Sequence, residues 1–62
     1  MTRRLFAIEP YVSMEEHGRA VSRFVRRIKR LEAKGWRWVK GELRFLPEPG
    51  NHYRIECDLD KP

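Results

Sequence analysis

Twenty-two consecutive residues, Ser13–Lys34 (SMEEHGRAVSRFVRRIKRLEAK), constrain this chain more than any other stretch. They read as one amphipathic helix with a marked start and a marked stop. Ser13 followed three positions later by Glu16 is a capping box: the hydroxyl takes an orphan N–H of the first turn, and the carboxylate reaches back to the cap. Glu15 and Glu16 also put negative charge at the positive end of the helix dipole. Gly35 supplies the left-handed residue that ends a helix, and Trp36 can then close over Leu31. Wound at about 100° per residue, the segment separates into two faces. Met14, Val21, Phe24, Val25, Ile28 and Leu31 share one; Arg19, Arg23, Arg26, Arg27, Arg30 and Lys34 share the other.

The rest of the chain reads as strands. Leu5-Phe6-Ala7-Ile8, bounded by Arg3-Arg4 and Glu9-Pro10, is a short apolar run suited to a central strand or one buried on both faces. After Gly35 the period falls to two. Trp36 and Trp38 alternate with Arg37 and Val39, and Leu43 and Phe45 continue in the opposite phase, so one extra residue near Lys40-Gly41 marks a bulge or bend. Pro47–Asn51 is turn chemistry. Tyr53, Ile55, Cys57 and Leu59 then alternate with Arg54, Glu56, Asp58 and Asp60 as a half-buried strand. The expected fold is a single α+β domain over residues 1–62, ordered β-α-β-β, with strands over 4–9, 36–46 and 52–59 and the helix over 13–34. One helix packs on a small, mostly antiparallel three-stranded sheet, leaving one sheet face and the edge strands without cover.

Size and charge narrow the function. A chain of 62 residues buries only about 60% of its unfolded surface, so a partner surface, including a second copy, is a natural supplement to its core. Cys57, the lone cysteine, cannot form an internal disulfide, and His17 and His52 lack metal-ligand spacing. No apolar run approaches the ~20 residues of a membrane span. A free thiol and no export signal point to the cytoplasm as the expected location. The net charge is +5. Residues 19–34 hold seven basic side chains against Glu32, a balance of +6, so the remainder carries −1. The excess charge belongs to the helix.

Catalytic chemistry is not apparent. Ser13 is used by the cap, Ser22 has no neighbouring base, Cys57 lies on the apolar phase of its strand, and the Glu56, Asp58, Asp60 row reads as a solvated face. We therefore expect neither enzyme activity nor a cofactor or metal.

Two resemblances bear on the reading. Leu31-Glu-Ala-Lys-Gly-Trp36, followed by Phe45, Pro49-Gly50, Tyr53-Arg54 and Asp58, resembles an uncharacterised bacterial family of domains of unknown function. In that family an amphipathic helix ends A-K-G-W and a hairpin closes on Y-R-x-D; the likeness spans residues 24–60 and implies a fold, with no site. Gly35-Trp36 and Lys40-Gly41 are also similar to steps in toxin ribonucleases with a double-stranded-RNA-binding-like fold. The catalytic His after their K-G step is replaced here by Glu42-Leu43-Arg44. That likeness implies an RNA-compatible scaffold without the activity.

The expected function is a small basic binding module that meets nucleic-acid phosphates through Arg19, Arg23, Arg26, Arg27, Arg30 and Lys34. Arg37, Lys40 and Arg44 would extend the footprint, and Trp36 or Trp38 would stack a base or form an interface. The alternative is a protein-interaction module (a small subunit, adaptor or phage-type inhibitor). It would use the open sheet face or edge strand against an acidic protein or as a homodimer.

Overall fold

The computed structural model describes residues 1–39, 41 and 43–62. These form β1 (Thr2–Pro10), α1 (Met14–Glu32), β2 (Arg37–Trp38), β3 (Arg44–Glu48) and β4 (His52–Asp60). The α+β class and the antiparallel sheet agree with the sequence pattern. Lys40 and Glu42, and the K-G comparison that uses them, lie outside the described residues.

Helix α1 begins as its cap demands. The Ser13 hydroxyl accepts the Glu16 N–H at 3.1 Å. The Glu16 carboxylate turns to Arg19 and Arg23 instead of completing the capping box. At the other end the Gly35 N–H donates to Glu32 O and the Trp36 N–H to Leu31 O, with Gly35 at φ 98. This is the left-handed stop that a glycine makes inexpensive. Ala20, Phe24 and Ile28, four residues apart, are the fully buried line of the helix. Met14, expected on that face, is 75% exposed, with the Tyr11 hydroxyl 4.0 Å from its sulfur.

Strand β4 is the centre of the sheet. Along one side it pairs antiparallel with β1, Leu5 facing Cys57 and Ala7 facing Ile55. Along the other it pairs first with β2 and then with β3. The strand expected over 36–46 is thus two strands. Trp38 stands opposite Leu59 and Arg44 opposite Glu56, so residues 39–43 occupy five positions against two, three more than an unbroken ladder. The expected insertion was a single residue. Any odd number reverses the phase, and both Trp38 and Phe45 therefore fall on the helix side. Gly41, at φ 76, lies in this interruption.

Leu5, Tyr53, Ile55, Cys57 and Leu59 face α1 and close the core with Phe24, Ile28 and Trp36. Each large buried side chain contributes roughly 1.5–3 kcal/mol against its exposed state. The Leu5–Ile8 run departs from expectation. It lies in an edge strand: Leu5 is buried under the helix, whereas Phe6 and Ile8 point the other way and are half exposed. One helix covers one face, and the alternation of a strand sends every second residue to the other.

Candidate nucleic-acid interface

The predicted basic stripe runs along the flank of α1 that overhangs β1. Arg23 reaches Glu9 of β1, and the Arg27 guanidinium donates to the Phe6 carbonyl at 3.4 Å. That carbonyl is on the free edge of β1, so Arg27 covers part of an edge that would otherwise invite pairing. All six stripe side chains are exposed.

They are not equivalent. Arg19 is held by Glu15 at 2.9 Å and Glu16 at 3.2 Å; Arg23 is held by Glu9 at 3.4 Å and Glu16 at 3.6 Å. The N-terminal half of the stripe therefore carries two cations among three carboxylates. The C-terminal half is different: among the described residues Arg26, Arg27, Arg30 and Lys34 make no ion pair. Glu9 escapes a reading of the stripe as uniformly basic because it comes from another element, whereas Glu15 and Glu16 lie in the first turn of the helix itself.

A further cation joins that half. Arg3, on the helix-facing phase of β1, lies with its guanidinium 5.9 Å from the Trp36 ring centroid. Arg3, Arg27, Arg30 and Lys34 line a groove of about 190 Å³ between β1 and α1, with Leu5 and Leu31 at its base. A wider depression of about 600 Å³ lies along the N-terminal half, but Glu15 is in its wall and its Arg19 and Arg23 are already paired. The smaller groove is the better anion site. Arg3 was not singled out from sequence; the Arg3-Arg4 pair at the start of an alternating strand was the available signal, since its odd member shares the phase of Leu5.

Among the described residues, the other predicted positions do not join this surface. Arg44 is on the opposite sheet face, its Nε 3.0 Å from Glu56 and its Nη2 3.2 Å from Asp58. Its pKa is raised chiefly by the bond to Glu56. Arg37 stands opposite Asp60 on β4, away from the groove. Trp36 is 9% exposed and Trp38 half-buried on the helix side, so neither ring offers a free face for a base.

That opposite face is a lattice of ion pairs. Arg4 and Arg44 share Asp58, Arg44 and Arg54 flank Glu56, and Arg54 ends on Glu48 at 2.7 Å. The Glu56, Asp58, Asp60 row is thus not simply solvated: Glu56 is 5% exposed. The bond from Arg4 lowers the Asp58 pKa, helped by the charge of Arg44. Phe6, Ile8 and Leu46 are the exposed apolar groups in this lattice, with the Arg54 guanidinium 5.2 Å from the Phe6 centroid.

Elsewhere the reactive side chains are packed. Cys57 is fully buried, and burial pushes its thiol pKa up. The His17 ring lies 5.0 Å from that of Tyr53 and 5.5 Å from that of Phe45. His17 Nδ1 and the Tyr53 hydroxyl are buried without hydrogen-bond partners among the described residues. Burial raises the Tyr53 pKa. Among the described residues no three His, Cys, Asp or Glu side chains are placed to hold a metal ion, and no helix is long and apolar enough to cross a membrane. No family model, curated protein or solved structure matches the chain.

Proposed function

We propose that the protein is a small, non-enzymatic nucleic-acid-binding module of the cytoplasm that grips phosphates with Arg3, Arg26, Arg27, Arg30 and Lys34. The observation that carries this reading is that these cations lie together on one flank without carboxylate partners among the described residues. Guanidinium groups crowded this way repel one another until an anion arrives, and the forked donors of Arg suit phosphate oxygens. Arg19, Arg23 and Arg44 are outside the contact set, since each is already paired. With Trp36 buried and Trp38 half-buried, the flank offers phosphate contacts, so recognition is of the backbone and not of sequence.

The test is a titration of labelled single-stranded RNA and duplex DNA at two salt concentrations. Five phosphate contacts predict an affinity loss on the order of a hundredfold to several hundredfold between 50 and 200 mM salt. Absence of binding at low salt, or affinity indifferent to salt, would sink the proposal.

A second reading has its own observation. Phe6, Ile8 and Leu46 are exposed on the sheet face that α1 does not cover, where a protein partner or a second copy could settle. The ion-pair lattice around them and Arg27 across the β1 edge weigh against it. Concentration-dependent dimerisation abolished by Phe6→Lys would favour this reading over the first.

A further inference from the structure

The groove between β1 and the C-terminal half of α1 has more positive charge than an ordinary phosphodiester needs. Arg3, Arg27, Arg30 and Lys34 converge on a space of about 190 Å³. A backbone phosphodiester brings a single negative charge to such a space, and so does a carboxylate. A phosphate monoester brings close to two at neutral pH and presents three strong acceptor oxygens. Guanidinium forks from two different elements, with an ammonium as a mobile point charge, can meet those oxygens together.

The base of the groove strengthens the match. Leu5 is 3% exposed and Leu31 half-buried, so the space is bounded by apolar side chains on one side. Charges beside a low-dielectric wall interact more strongly than charges in open water. Among the described residues the groove cations make no ion pair, and Glu9, Glu15 and Glu16 are drawn to Arg19 and Arg23 at the far half of the helix. Arg3 is steadied against the Trp36 ring, which Lys61 approaches at the same 5.9 Å. A cation fixed on an aromatic ring loses less freedom on binding than one that waves in solvent.

We infer that this groove is a phosphate-monoester site, built for the phosphorylated end of a nucleic-acid strand or for a free mononucleotide. For the strand end the inference rests on the proposal that the flank binds nucleic acid; for the free mononucleotide it does not. The remaining stripe, led by Arg26, then follows the phosphodiesters away from the end.

The experiment uses the full chain and an internally labelled single-stranded RNA in three forms: 5′-phosphate, 3′-phosphate and hydroxyl at both ends. AMP and adenosine serve as competitors. A phosphorylated end should bind about tenfold tighter than the hydroxyl form, equivalent to about 1.4 kcal/mol. AMP should compete where adenosine does not. Arg30→Gln and Lys34→Gln should each reduce the end preference to within about twofold, whereas Lys29→Gln, the same charge loss outside the groove, should preserve it. Competition by AMP without any end preference identifies the free monoester as the ligand. If all three RNAs bind alike and AMP does not compete, the inference is overturned, although salt-dependent binding by the flank would still stand. If no RNA binds at low salt but AMP does, the broader proposal falls and the monoester site remains.

Discussion

Two groups of arginines in this protein differ in almost everything except residue type. On the open face of the sheet, Arg4, Arg44 and Arg54 are tied to Asp58, Glu56 and Glu48 across three strands. On the flank of α1, Arg26, Arg27 and Arg30 have no acid beside them among the described residues. The first group has the chain itself as its partner, and it holds a carboxylate, Glu56, at 5% exposure on a face no helix covers. The second finds no counter-charge among the described residues, and Arg27 is tied to the fold through its bond to the Phe6 carbonyl. Charge count alone cannot distinguish a structural arginine from a binding one. What distinguishes them is whether the fold has already supplied the counter-charge.

The largest expected effect breaks the first group. Glu56→Lys would set a third cation between Arg44 and Arg54 at a buried position, an uncompensated charge costing about 3–5 kcal/mol. A domain this small has little more stability than that to lose. The variant should be unfolded at neutral pH by circular dichroism, while Glu32→Lys, the same change at an exposed helix position, should melt like the parent. Next in size is the converse experiment on the second group. Reversing Arg26, Arg27 and Arg30 to Glu should leave the spectrum folded and lower RNA affinity at low salt by more than about a hundredfold. If the first variant folds, or the second loses its fold instead of its ligand, the two groups are not the separate things proposed here.

The contrast also marks how far the sequence could be read. Helix α1, its Ser13 cap, its Gly35 stop and the alternating strand β4 follow from local patterns, and local patterns are what a single sequence displays. Cys57 as a small core residue follows from the phase of its strand. Arg44 could not be read in that way. Its partners Glu56 and Asp58 are more than ten positions away, and only the three-residue offset after Trp38 brings β3 into register with them. The same holds for Glu9, which neutralises Arg23 from another element, and for Arg3, whose place in the groove depends on β1 lying beneath the flank. Leu5–Ile8 was misplaced because a short apolar run looks the same at the centre of a sheet and at its edge. Pairing across elements is where sequence reading stopped.

Acid should act on the paired group and not on the free one. The Arg4 bond holds Asp58 below the ordinary carboxylate pKa in the folded state. A group depressed on folding contributes stability that is fully present above its unfolded pKa and lost as pH falls through its folded one. For Asp58 the loss therefore begins near pH ~4, the ordinary value, and continues below it. Urea midpoints measured from pH 6 down to pH 2.5 should fall more steeply in the parent than in Arg4→Gln. Equal acid limbs in the two proteins would mean that the Arg4–Asp58 bond contributes nothing, and that the open face is less tightly paired than its geometry indicates. Arg4 itself is well exposed, with its side chain at 62%, so solvent screening keeps this effect below that of Glu56→Lys.

The smallest effect is the most delicate test, because it falls on the boundary between the groups. Arg19 and Arg23 share the stripe with Arg26 and Arg30, yet resemble the sheet arginines in having acids at hand. Their ion pairs are at the surface, where such pairs contribute under about 1 kcal/mol. Removing both with Arg19→Ala and Arg23→Ala should therefore change the melting temperature only slightly. RNA affinity should change by less than about twofold, since two cations that already face Glu9, Glu15 and Glu16 release few counterions on binding. A tenfold loss would mean that phosphate draws these guanidinium groups away from their carboxylates. In that case pairing in the unbound protein would not decide function, and the whole stripe, from Arg19 to Lys34, would have to be restored as the contact surface.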